Sequence, residues 1–234
     1  MENTITNFSI SAQFGNIENT IYPTILSDSK NHILVDCGFI GSLPALEKEL
    51  AQRGFSITEL TGLVLTHHDH DHMGAAAALK RLNPNMVVYA SAEEAPFISA
   101  RVKPFRLQQA EEMQASLPAE QQDFGKAFCD MLRRVEPVEV DAFLQDGDHF
   151  DWCGGCSIIS TSGHTPGHVS LFMEEASVVI TGDAIALEHG KPVLANPQFA
   201  FDLEKAAASM ERLLSIHAKT YYCYHGGVFT PERM

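Results

Sequence analysis

Leu65-Thr66-His67-His68-Asp69-His70-Asp71-His72-Met73-Gly74 is the stretch on which the fold of this chain turns. Four histidines and two aspartates fall between positions 67 and 72, directly after the short apolar run 62–65, which reads as a strand. Imidazole and carboxylate are the donors that hard-to-borderline divalent cations take. A loop at the carboxyl end of a strand is also where α/β folds place their chemistry.

Working outward, strands are expected at 21–27 and 32–36, with Asp28-Ser29-Lys30-Asn31 as the turn between them. A helix follows from Ser42, with Pro44 in its first turn, Leu46 and Leu50 on one face, and Gly54 as its stop. After Gly74 come an alanine-rich helix over 75–82, ended by Asn83-Pro84, and a strand over 86–90. Ser91 and Glu94 have the spacing of a capping box. The region 95–135, with Phe97, Phe105, Met113, Leu117, Phe124, Phe128 and Met131 and divided by Pro104 and Pro118, reads as a helical insertion that packs on the body or lids the site. Strands return at 137–140, 149–152, 157–160, 169–172 and 178–181. Asp202 caps a helix over 203–216, and a last strand, 220–224, delivers His225.

Three further segments follow the histidine cluster in order: Ser162-Gly-His164-Thr-Pro-Gly-His168, Thr181-Gly-Asp183 and His225-Gly-Gly. Together with Leu34-Val-Asp36-x-Gly38 and the cluster itself, they resemble the motif series of the metallo-β-lactamase superfamily, over about residues 20–227. The resemblance implies one α/β domain over 1–234, an αββα sandwich interrupted near 95–135 by the helical insertion. It also implies two divalent metal ions. His67, Asp69 and His164 would hold one, Asp71, His72 and His225 the other, and Asp183 would bridge them. His168 stands where the family places a residue that orients a ligand by hydrogen bonding.

The cluster departs from the family pattern at one place. The Asp-His-x-Gly end aligns Asp71, His72 and Gly74, so Asp69 falls where the pattern has histidine. A rival register uses His68, His70 and His72, but it loses the preceding aspartate and the spacing to Gly74. An oxygen donor at 69 makes the site harder, which leaves zinc open beside iron or manganese. The flavodiiron branch likewise carries a carboxylate at this place.

Composition narrows the function. A formal charge of −14 disfavours sequence-independent nucleic-acid binding, and no apolar run is long enough to span a bilayer. The opening residues lack the pattern of a secretory leader, so a cytoplasmic protein without membrane partners is expected. Cys37, Cys129, Cys153, Cys156 and Cys223 suggest no disulfide framework, and Cys153-Gly-Gly-Cys156 reads as a turn. Arg101, Lys103, Arg106, Arg133 and Arg134 read as a solvated face, or as holding one or two anchors for a substrate carboxylate or phosphate. Tyr222 and Tyr224 share a strand face and are expected in the core; His68 and His70 are expected exposed or packed in their loop.

The activity expected from the resemblance is hydrolysis of a small-molecule ester, lactone or thioester by water activated between two metal ions, with Asp71 orienting the water or shuttling a proton. The short stretch after His225 is read as leaving no room for the C-terminal helical domain of glyoxalase II. Alternatives are a di-iron oxidoreductase related to the flavodiiron branch, a small-molecule phosphodiesterase, and a binding protein that keeps the pocket without turnover.

Overall fold

The computed structural model describes residues 3–14 and 17–231. Two six-stranded sheets lie at its centre. The first runs Thr4–Asn7, Thr24–Ser27, His32–Val35, Gly62–Val64, Val87–Ser91, Ala142–Leu144, and its last four strands are parallel. The second runs Gly227–Phe229, Thr220–Cys223, Val178–Ile180, Val169–Met173, Cys156–Ser160, His149–Phe150. Among the described residues, no helix is long and apolar enough to cross a membrane.

The layering follows from side-chain alternation along these strands. Leu26, Ile33, Val35 and Val64 of the first sheet share one buried cluster with Ile158, Leu171, Met173 and Ile180 of the second. That cluster is the filling of the sandwich. The alternate residues Ile25, Leu34, Leu63 and Leu65 point the other way, into a cluster with Leu46 and Leu50 of the Leu43–Gln52 helix and Leu79 of the Ala76–Leu82 helix. On the outer face of the second sheet, Ile159, Val179 and Tyr221 pack with Leu213 of the Leu203–Leu214 helix. Each fully buried leucine or isoleucine contributes about 2 kcal/mol of transfer energy, so a one-residue slip in either sheet is strongly disfavoured. The result is the expected sandwich of helix, sheet, sheet and helix.

The insertion is a helical hairpin, Phe105–Ser116 and Gln122–Arg133, preceded by the short helix Ala95–Ile98. Leu107, Ala110, Cys129 and Leu132 give it a small buried cluster, while Phe124 remains 70% exposed. Gly125 lets the two helices approach, because a Cβ there would lie 2.5 Å from a Leu117 methyl.

Several boundaries differ from expectation, each for a local reason. The expected strand 21–27 is divided into Ile17–Ile21 and Thr24–Ser27, because Pro23 has no N–H to donate and Tyr22 donates instead to the Tyr224 carbonyl, 2.9 Å away. The strand expected at 137–140 begins only at Ala142, past Pro137. The Cys153 turn carries three successive positive φ values, 47°, 88° and 110° at Cys153, Gly154 and Gly155. All five cysteines are buried and free, and burial pushes the Cys153 thiol up to about 11 and the Cys156 thiol up to about 12.

Gly74 ends the histidine-rich turn at a point of close approach. A Cβ there would lie 2.4 Å from the Ile40 nitrogen and 2.5 Å from the His70 carbonyl oxygen, while the Gly74 N–H donates to the Gly38 carbonyl at 2.8 Å. Backbone on both sides cannot step aside as a side chain could. Gly74→Ala is therefore expected to cost about 3 kcal/mol of unfolding free energy, read from urea denaturation. A cost within error of zero would show that the 38–40 loop yields without penalty.

Candidate metal centre

The two sheets bring their loops to one edge of the sandwich. The His67–His72 turn follows Gly62–Val64 of the first sheet. In the second sheet, Cys156–Ser160 and Val169–Met173 are antiparallel, and the loop between them carries His164. Val178–Ile180 runs antiparallel to Val169–Met173, so its carboxyl end, with Asp183 just beyond, falls at that same edge. Thr220–Cys223 is parallel to Val178–Ile180 and therefore presents His225 there too.

Four segments far apart in sequence thus meet. Oδ2 of Asp69 lies 3.6 Å from Nε2 of His67 and 3.2 Å from Nε2 of His164. Asp183 faces both halves: Oδ2 is 3.4 Å from Nε2 of His164, and Oδ1 is 3.2 Å from Nε2 of His72 and 3.4 Å from Nε2 of His225. Oδ2 of Asp71 is 3.3 Å from Nε2 of His225. Two donors each about 2.1 Å from one ion at a tetrahedral angle stand about 3.4 Å apart, so these spacings suit shared cations. The groups compact enough to hold an ion are His67, Asp69 and His164; His67, His72 and Asp183; and Asp71, His72 and His225.

The donor atoms also fit a cation chemically. Nε2 of His67, His72 and His225, Oδ1 of Asp69 and Oδ1 of Asp183 are buried without a hydrogen-bond partner. Leaving such an atom unpaired costs on the order of 1–3 kcal/mol each, a cost that cations held among these groups would relieve. Burial raises the Asp183 carboxyl, but the charges of His225, His72 and His164 outweigh it and hold the group well below its ordinary range. Burial likewise lowers His72, yet Asp183, Asp36 and Asp71 hold it well above its ordinary value.

The surrounding hydrogen bonds fix which ring nitrogen faces inward. Nδ1 of His72 donates to Oδ2 of Asp36 at 2.8 Å. Asp36 also accepts from the Thr66 N–H at 2.9 Å and the Thr66 hydroxyl at 2.8 Å, and that hydroxyl lies 3.0 Å from Nδ1 of His67. One buried carboxylate thus leaves Nε2 free on two rings. His168 reaches Thr161 Oγ1 through Nδ1 at 2.8 Å and accepts the Asp183 N–H at Nε2, 2.9 Å away. Burial, with His67 and His164 beside it, keeps His168 well below its ordinary pKa, as an accepting ring nitrogen requires. Gly182 has φ 52° and a Cβ there would lie 2.6 Å from that nitrogen. The Tyr224 hydroxyl donates to the Asp71 carbonyl at 2.5 Å, and its ring packs on His72 with centroids 3.8 Å apart.

His68 is not exposed: it is buried, with Nδ1 on Glu94 and Nε2 accepting the Phe105 N–H at 3.1 Å. Both of its ring nitrogens are thus engaged outside the donor groups, and neither His68 nor His70 falls in one of the candidate groups among the described residues. His70 is part-exposed and packs near Phe39 and Phe128. Glu94 corrects the capping-box reading. Ser91 Oγ does accept the Glu94 N–H at 3.1 Å, but the carboxylate accepts instead from His68 and from the Gly167 N–H at 2.7 Å. It so ties the His67–His72 turn to the His164 loop. Arg101, Lys103 and Arg133 are exposed and paired with Glu139, Glu111 and Asp130, whereas Arg106 is 5% exposed and donates to Asp69. Asp36 and Glu94 carry roles the sequence reading left unassigned; the Leu34-Val-Asp36-x-Gly38 match was the available signal for the first.

Asp36→Asn keeps the shape of that carboxylate while removing its charge. The variant is expected to bind its metal about 10–100-fold more weakly, measured by chelator competition, with unchanged far-ultraviolet circular dichroism. Unaltered affinity would mean that Asp36 serves only the loop.

Residues 21–225 match the family model of the metallo-beta-lactamase superfamily. The chain is 27% identical over 227 residues to the probable metallo-hydrolase YflN of Bacillus subtilis, covering 90% of this chain and 81% of the relative. It is 29% identical over 163 residues to the hydroxyacylglutathione hydrolase GloC of Haemophilus influenzae, covering 69% of this chain but only 64% of that protein. Among solved structures, a metallo-beta-lactamase family protein from Thermus thermophilus superposes with a TM-score of 0.75 at 23% identity, over 97% of this chain and 74% of that one. Another, crystallised in a di-iron-bound form, gives 0.65 at 22% identity, over 95% and 94%. At those identities the structural likeness speaks for the fold, and with the family match the chain belongs to the metallo-beta-lactamase superfamily.

Proposed function

We propose that this chain is a metal-dependent hydrolase of small-molecule esters, lactones or thioesters. The observation that carries the reading is Asp183. One of its oxygens faces His164 beside His67 and Asp69, and the other faces His72 and His225 beside Asp71, so two groups of donors share one carboxylate. His67, Asp69 and His164 would hold one ion, Asp71, His72 and His225 the other. When bound there, divalent cations would supply a lowered pKa for water and positive charge for an oxyanion.

The protein's own residues prepare that chemistry. Asp36, through His72 and Thr66, keeps two imidazoles presenting Nε2, and His168 holds the turn of Asp183 by accepting its backbone N–H. Burial raises the Asp71 carboxyl, but the charges of His70, His72 and His225 prevail and hold it below its ordinary range. Its place beside His72 and His225 supports a role for it in orienting the attacking water or shuttling a proton. A thioester is supported by the match to GloC, a hydroxyacylglutathione hydrolase, within the part of that protein the chain spans. The carboxylate at Asp69 and the neighbour solved with two irons support iron or manganese beside zinc as the resident metal.

Elemental analysis of protein purified without added metal or air decides the metal, and a panel of lactones, thioesters and phosphodiesters decides the reaction. Turnover of an acyl substrate is expected, abolished by a chelator and restored by the identified metal. Asp183→Asn is expected to lower kcat/KM more than about a hundredfold. Chelator-insensitive turnover, or none on any acyl substrate, would overturn the reading; oxygen or nitric oxide consumption with an artificial reductant would replace it with the di-iron oxidoreductase.

A further inference from the structure

Arg106 sits on the first turn of the Phe105–Ser116 helix, yet its guanidinium is buried at the candidate metal centre. All of its nitrogens are engaged. Nε donates to Oδ2 of Asp69 at 3.1 Å and Nη2 to the same oxygen at 2.5 Å; Nη2 is also 3.3 Å from Nε2 of His164. Nη1 donates to Gln109 Oε1 at 2.8 Å and to the Phe199 carbonyl at 3.1 Å, and the group lies 4.8 Å over the Phe199 ring. A guanidinium has five N–H donors in a fixed fork, and here each nitrogen has a protein partner. Arg106 is thus poorly suited to anchor a substrate carboxylate.

Its contacts fall on one half of the centre, while its charge also reaches Asp71 and Asp183 from farther off. Two of the three residues in the group His67, Asp69 and His164 meet a permanent positive charge. The pairs that Asp71 makes are with His70 and His225, and those of Asp183 are with His72, His164 and His225. A cation entering the first group would share Asp69 with the guanidinium and meet its charge in contact; among the described residues, no arginine or lysine pairs with Asp71, His72 or His225 of the second group. Building on the metal reading above, we propose that the two halves are unequal, that the group of Asp71, His72 and His225 binds its ion first and more tightly, and that Arg106 is the positioning residue that sets the difference. Because Arg106 also holds the Phe199 carbonyl, filling of the weaker half is tied to how the helical hairpin docks on the body.

The test is zinc titration of the metal-free full chain against a chelator of known affinity, in wild type, Arg106→Gln and Arg106→Lys. Wild type is expected to bind one ion tightly and a second at least about tenfold more weakly. Arg106→Gln is expected to tighten the second step by about tenfold or more and narrow the gap, while Arg106→Lys keeps the charge and keeps the gap. Arg101→Gln, which removes only an exposed pair with Glu139, is the control and is expected to change neither step. Two equal steps in wild type would overturn this inference and leave the metal reading standing, a result that needs no variant to fold. A second step that weakens or stays put in Arg106→Gln would overturn it as well. Failure of wild type to bind zinc or any other divalent ion would overturn both.

Discussion

Three carboxylates and four imidazoles crowd one edge of an apolar sandwich, and the rest of the molecule is arranged around making that crowding tolerable. Asp69, Asp71 and Asp183 are all buried, as are His67, His72 and His164. Ionised groups taken out of water are stable only when paired and hydrogen-bonded. Each carboxylate here is therefore set against an imidazole, and each imidazole that has a second buried carboxylate or hydroxyl within reach uses it to fix its other nitrogen. The arrangement is balanced as a unit, which is why Asp36, just past the end of the His32–Val35 strand and outside the donor set, matters to both His67 and His72.

That balance requires a scaffold that cannot shift by one residue. Alternation in both sheets provides it: Ile33 and Val35 face the sandwich filling while Leu34 faces the outer helix, and Ile158 and Ile159 divide in the same way. A slip would invert these faces and would also move every loop at the sheet edge. The short backbone distances at Gly74 and Gly182 serve the same end, since each places a turn of donor residues against backbone or ring atoms with no space for a Cβ. Glu94 then joins the loops of the two sheets directly, through His68 on one side and the Gly167 N–H on the other.

The legible part of this design was the part written locally. Donor residues in a dense run, strand alternation and the helix cap at Asp202, which accepts the Lys205 N–H at 3.1 Å, all depend on near neighbours in sequence. What lay hidden depends on distant ones. Asp36 meets His72 across 36 positions, Glu94 meets His68 across 26, and Arg106 meets Asp69 across 37. Glu94 was legible only as a cap partner because Ser91 stands three residues before it, and a buried histidine competed for the carboxylate and won. Arg106 read as one of five charges on a solvated face, or as an anchor for a substrate anion; only the folding of the hairpin onto the body buries it against Asp69 while leaving Arg101 and Arg133 in solvent.

The helical hairpin consequently belongs to the centre as well as to the packing. Its own cluster of Leu107, Ala110, Cys129 and Leu132 is small, so its position depends on what its ends grip. One end is fixed by the Phe105 N–H on His68 and by Arg106 on Asp69 and Phe199. These contacts reach the same turn that carries the candidate donors. A charge change in that turn is therefore felt by the hairpin, and a displacement of the hairpin exposes a carboxylate that is otherwise neutralised. A carboxylate at position 69 has this consequence where a neutral imidazole would not: once buried it needs a counter-charge, and the hairpin supplies one through Arg106.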